Sequence, residues 1–109
     1  MLSVGELLSL DMKEANIKKL DLYLEANTIS YDYILIAHYK AMILNNASKI
    51  NDALKVLYDL VNRFDELDSK SIIKVCDGII DICLNCERYD QVSKFIEIIL
   101  LNFVHSATM

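Results

Sequence analysis

The sequence predicts an all-α chain built as a stack of about three antiparallel helical hairpins, an α-solenoid. One observation is periodic. Ile17-x-x-Leu20-x-x-x-Leu24, Ile50-x-x-Ala53-x-x-x-Leu57 and Tyr89-x-x-Val92-x-x-x-Ile96 share an i, i+3, i+7 stripe, the spacing of a buried helix face. The stripes start 33 and then 39 residues apart, within the range of stacked helical hairpins. A second observation is punctuation: there is no Pro, and the glycines are Gly5 and Gly78 alone. Little in the chain breaks a helix or turns a β-hairpin. The third is spacing: the connections between helical segments are two to six residues long, so consecutive helices must fold back on one another.

Six helices follow in order. The first is expected from about Ser3 to Met12 and the second from Glu14 to Ala26, stopping at Asn27–Thr28. Ser30 is suited to cap a third helix, Tyr31 to Asn45, with Asn45–Asn46 supplying the left-handed residue at its end. Ser48 is placed as the cap of a fourth, Lys49 to Phe64, and Asp68 or Ser69 opens a fifth that reaches Leu84 and stops around Asn85–Cys86. The sixth runs from Arg88 to Val104. The fifth carries apolar residues almost all round, with a narrow polar stripe of Lys74, Asp77, Gly78, Asp81 and Asn85. A helix of that kind must be covered on most sides.

The second half of the sixth helix is just as apolar, from Phe95 through Val104. An end helix normally turns a polar face outward. Its greasy surface implies self-association, with Phe95, Ile99 and Phe103 as the expected oligomer interface, or further repeats or a second domain beyond Met109; the plainer alternative is a last helix that simply covers the fifth.

At 109 residues, 54% of them hydrophobic, the chain forms one small domain, residues 1–109, with units of about 1–28, 29–66 and 67–109. Net charge is −5 and the 11 basic residues are scattered. Nucleic acid, which wants a basic stripe, is not an expected ligand. The amino terminus lacks a basic region before its apolar residues, and Phe95–Val104 is about half the length a bilayer needs. No membrane partner is expected, and the expected location is cytoplasmic. An odd count of three cysteines fits a reducing compartment better than a disulfide framework.

Catalytic chemistry finds little footing. Cys83-Leu-Asn-Cys86 has the Cys-x-x-Cys form, but zinc needs four ligands and the two histidines, His38 and His105, stand at unrelated spacing. A redox pair sits at a helix N-terminus after a strand; these cysteines close a helix, and Cys76 and Cys83 fall on its buried stripe. His38 has no cysteine or serine at a nucleophile's spacing and reads as a groove- or solvent-facing side chain. Asp77 and Asp81 read as a solvated polar stripe with a mild like-charge penalty. The expectation is a protein that is not an enzyme and carries no cofactor and no metal.

With Ile50, Ala53 and Leu57 on the second helix of a hairpin, the chain resembles the tetratricopeptide repeat. Ala41 and Ala53, twelve positions apart, match its nested small residues, and Leu8 with Leu20 and Ile80 with Val92 occupy the corresponding places. The family's early tryptophan is replaced by Ala37 or Cys76, its close-contact glycine by Ala41 or Ile80, and its unit-ending proline is missing. The resemblance implies a right-handed stack whose first helices line a peptide-binding face. Carried over by position, that face holds Leu35, His38, Met42 and Asn45 from the third helix and Lys74, Asp77, Asp81 and Asn85 from the fifth. It implies an interaction module, used in such proteins as a sensor or dimerisation arm of a signalling protein. The acidic pair favours a basic or apolar segment over an acidic one. A structural protein that homodimerises through its last helix is the alternative.

Overall fold

The computed structural model describes residues 2–108, with side chains through residue 104. Six α-helices account for most of the chain, and no strand occurs among the described residues: α1 (Val4–Leu8), α2 (Ile17–Ala26), α3 (Tyr31–Asn46), α4 (Ile50–Val61), α5 (Ser69–Asn85) and α6 (Tyr89–Thr108). Short 3-10 turns, Glu14–Asn16 and Phe64–Glu66, precede α2 and follow α4. No helix of the described residues is long and apolar enough to cross a membrane.

The first helix is shorter than its apolar pattern implies. Ser3 and Glu6 form a reciprocal capping box at its start. It ends after Leu8, where the Ser9 hydroxyl donates back to the Gly5 carbonyl at 2.8 Å, and Ser9 to Lys13 continue as irregular chain. Ser30 caps α3 as expected, its hydroxyl accepting from the Tyr33 amide. Asp68 caps α5 by accepting from the Ser71 amide at 2.9 Å; those hydrogen bonds to Ser71 hold its carboxyl below the usual range.

The end of α3 corrects the sequence reading. Ser48 does not cap α4; it is the left-handed residue after α3, with φ 63°, and Asn45–Asn46 are still helical. The Lys49 amide donates to the Leu44 carbonyl and the Ser48 amide to that of Asn45, the paired bonds of a Schellman turn. Glu87, φ 60°, repeats the motif after α5, with Arg88 donating to Cys83 and Glu87 to Leu84. Each turn reverses the chain in three residues, so α3 lies against α4 and α5 against α6.

The molecule measures 38 × 33 × 21 Å, and its short dimension is two helix diameters. α3 is central and touches α1, α2, α4 and α5, whereas α6 packs chiefly on α5. The main core gathers Ala37, Ala41, Ala53, Leu57, Val75, Cys76, Ile79, Ile82 and Phe95. A smaller cluster of Leu7, Leu20, Ile36 and Ile43 seats α1 and α2 on the other flank of α3. Ala41 and Ala53 are fully buried, and their small side chains let α3 and α4 approach closely. Tyr58 and Phe95 meet edge to face at 5.8 Å, joining α4 to α6 across the core.

Candidate functional site

Four of the eight groove residues named from the sequence come together. Leu35, His38 and Met42 on α3 and Lys74 on α5 line one open hollow of about 330 Å³, whose remaining wall is Leu8, Met12 and Tyr39. Asn45, Asp77, Asp81 and Asn85 lie outside it. Asp77, Asp81 and Asn85 are exposed along α5, and Asn45 is half-buried near the end of α3.

The wall from Leu8 to Met12 is held by α3. The Tyr39 hydroxyl donates to the Leu10 carbonyl, and the Asn46 side-chain amide reaches the Met12 sulfur at 3.7 Å. An ion pair between Lys49 and Glu14 fastens the next segment. The sequence pattern puts Met12 at the end of a regular helix and gives Tyr39 no partner. The contact that joins them runs through the irregular Ser9–Lys13 segment, which carries no periodic signal.

Of the two placements open from sequence, groove or solvent, His38 takes the first and sits at the edge of the hollow. Its Nε2 is buried and has no hydrogen-bond partner among the described residues. Burial, then the neighbouring Lys74 ammonium, push it down to about 4, while Asp77 acts in the opposite sense. The imidazole is therefore neutral at pH 7. It packs over Gly78, the helical glycine of α5, whose missing side chain makes room for it.

On the polar face of α5, burial and then Asp77 raise the Asp81 carboxyl, and Lys74 partly offsets them. The hollow itself thus offers apolar wall, a neutral imidazole and one cation, with the acidic pair further along α5.

A larger cleft of about 410 Å³ lies over α3 between α2 and α4, lined among others by Asp21, Tyr33, Lys40, Asp59 and Arg63. Most of its charged groups have partners: Lys40 with Asp21 at 2.7 Å, Asp59 with Lys55, and Arg63 with Glu66. The hollow by His38 is the better candidate because it holds the buried His38 Nε2, which has no hydrogen-bond partner among the described residues.

The cysteines sit apart from both concavities. Cys76 and Cys83 are buried, Cys86 is half-buried, and all three are free. Burial pushes the Cys76 thiol up to about 12 and raises that of Cys83, the reverse of what a nucleophile needs. No cluster of three or more His, Cys, Asp or Glu suited to a metal ion occurs among the described residues; the His105 side chain lies outside them.

The expected oligomer interface is redrawn. Phe95 is 0% exposed and Ile99 is half-buried against the core, so neither is open to a second molecule. Phe103 does face outward. The second half of the helix is mostly apolar, and its packing on the core selects Phe95 and Ile99 as the inner face.

Compared with family models, curated proteins and solved structures, the chain finds no match.

Proposed function

We propose that the chain is a non-catalytic protein-interaction module, and that the hollow between α1, α3 and α5 takes an apolar segment of a partner. The observation that carries this reading is the convergence of Leu35, His38, Met42 and Lys74, three residues of α3 and one of α5, on a single open concavity completed by Leu8, Met12 and Tyr39. Methionines suit such a surface because their unbranched, polarisable side chains adapt to irregular apolar ligands.

The tetratricopeptide-like arrangement belongs to the same proposal. It draws support from the two equivalent hairpins, α3–α4 and α5–α6, whose first helices are 16 and 17 residues long. Their left-handed turn residues, Ser48 and Glu87, precede helix starts at Ile50 and Tyr89. Both intervals are the 39 residues of the second sequence period. A groove lined by first helices is where a stack of this type holds a ligand. Asp77 and Asp81 beside the hollow would then favour a basic residue flanking the apolar anchor.

Selection of short peptides from a displayed library on the immobilised chain tests the reading. Enriched peptides should carry apolar anchors with adjacent Lys or Arg. In a titration followed by amide NMR, shifts should centre on Met12, Leu35, Tyr39, Met42 and Lys74. Met42→Lys should weaken binding at least about tenfold, roughly 1.4 kcal/mol, with the circular dichroism spectrum unchanged. Peptides that bind Met42→Lys as tightly as the parent, or that shift only the cleft between α2 and α4, would remove the hollow from consideration.

A further inference from the structure

The outer face of α6 is the largest apolar surface the fold leaves open. Of nine exposed large hydrophobic residues among those described, six lie on this helix. Tyr89, Ile96, Leu100 and Phe103 are 60%, 44%, 60% and 67% exposed. With the exposed Ser93 they follow a 4-3-4-3 spacing, the seam by which one helix pairs with another.

The same five places on α4 and the 3-10 turn that follows it are covered. Counting back 39 residues from that row gives Ile50, Leu54, Leu57, Val61 and Phe64, every one of them buried or packed against the main core. Leu57 shows what covers them: it lies where a Cβ on Gly78 of α5 would meet its Cδ1 at 2.8 Å. A face that α4 closes against the following helix therefore stands bare on α6. Its shape suits a helix.

We propose that this row pairs with the same row of a second copy, giving a two-fold homodimer through α6. The occupant follows from three features. The seam holds no charged residue, Ser93 being its only polar member, so it fits an apolar helix face. The exposed apolar residues are concentrated on α6, so the matching surface on another copy is α6 itself, as a two-fold interface requires. The row together with Val104 presents on the order of 600 Å² per copy, about 1,200 Å² for a pair, which reaches the lower bound of stable interfaces. This pairing is independent of the peptide hollow, which lies on the α1–α3–α5 side.

Sedimentation equilibrium of the chain from about 1 to about 100 μM, the range that reads micromolar association, tests the proposal. The expected result is a dimer mass that dissociates toward the low end. Leu100→Lys and, separately, Phe103→Glu should shift the chain to monomer across the range with helix content unchanged. Leu101→Lys, equally exposed but about a third of a turn off the row, should leave the dimer intact. A parent chain monomeric at every concentration would overturn the pairing. So would a dimer that persists in both seam variants, one that Leu101→Lys breaks as readily as Leu100→Lys does, or an open-ended series of larger species.

Discussion

The imidazole of His38 lies so close to Gly78 that a methyl group on that glycine would meet His38 Cδ2 at 2.8 Å and Nε2 at 3.1 Å, with Leu57 Cδ1 at 2.8 Å on its other side. Three helices meet at this point: His38 is on α3, Leu57 on α4 and Gly78 on α5. The glycine is a packing device, since nothing larger fits between a buried ring and a fully buried leucine.

Gly78→Ala is accordingly expected to destabilise the chain although alanine is the better helix former. The helix preference is worth about 1 kcal/mol in favour of alanine, while overpacking a filled core costs about 1–3 kcal/mol. A net loss of up to about 2 kcal/mol should appear in urea denaturation. His38→Ala opens space on one side, so the same substitution should cost measurably less in that background. Additive losses would show that the three side chains are not coupled.

Stability should fall as the solution is acidified through the window set by His38. Its folded pKa of about 4 lies below the ordinary 6.5, so between those values the unfolded chain binds a proton that the folded chain refuses. Folding is therefore favoured above pH 6.5 and loses ground as the pH drops toward 4, by on the order of 2–3 kcal/mol. His38→Leu removes the titrating group and the unpartnered Nε2 together. Its urea midpoint should change little at pH 7 and should drop less than the parent's by pH 4.5. Equal acid sensitivity in the two proteins would assign the effect to other groups. Lys74→Met, which removes the cation facing the ring, should shift the His38 titration upward.

The all-helical class was legible because it rests on long, strongly periodic segments and on a near absence of helix breakers. The stripes at Ile17–Leu24 and Ile50–Leu57 fall on covered faces: Leu20, Ala53 and Leu57 are fully buried. The third stripe does not, since Tyr89 and Ile96 point outward and Phe95 inward. Periodicity cannot phase a helix such as Phe95–Val104, where nearly every position is apolar and no polar row marks the outside. Leu35, His38, Met42 and Lys74 line one hollow because α3 and α5 are regular helices and position along them fixes direction. Its other wall, Leu8 and Met12, depends on where α1 stops and on how an irregular segment is pinned to Tyr39 and Asn46, contacts that are not local in sequence.

The two hairpin turns offer the last test, because both place a side chain where the backbone prefers none. Ser48 and Glu87 adopt φ of 63° and 60°, the left-handed region in which a Cβ crowds its own carbonyl and which glycine enters freely. The Schellman bonds, Lys49 to Leu44 at 2.9 Å and Arg88 to Cys83 at 2.8 Å, hold the backbone there against that cost. Ser48→Gly and Glu87→Gly should each stabilise the chain, by about 0.5–1 kcal/mol once the greater freedom of glycine in the unfolded chain is set against the relieved strain. Both side chains are exposed, so little packing is lost. The gains should add in the double variant, the sites being on separate hairpins. Ser48→Val, with a branched Cβ at the same φ, should move the midpoint the other way, and a valine variant as stable as the parent would mean that the turn relaxes out of the left-handed region.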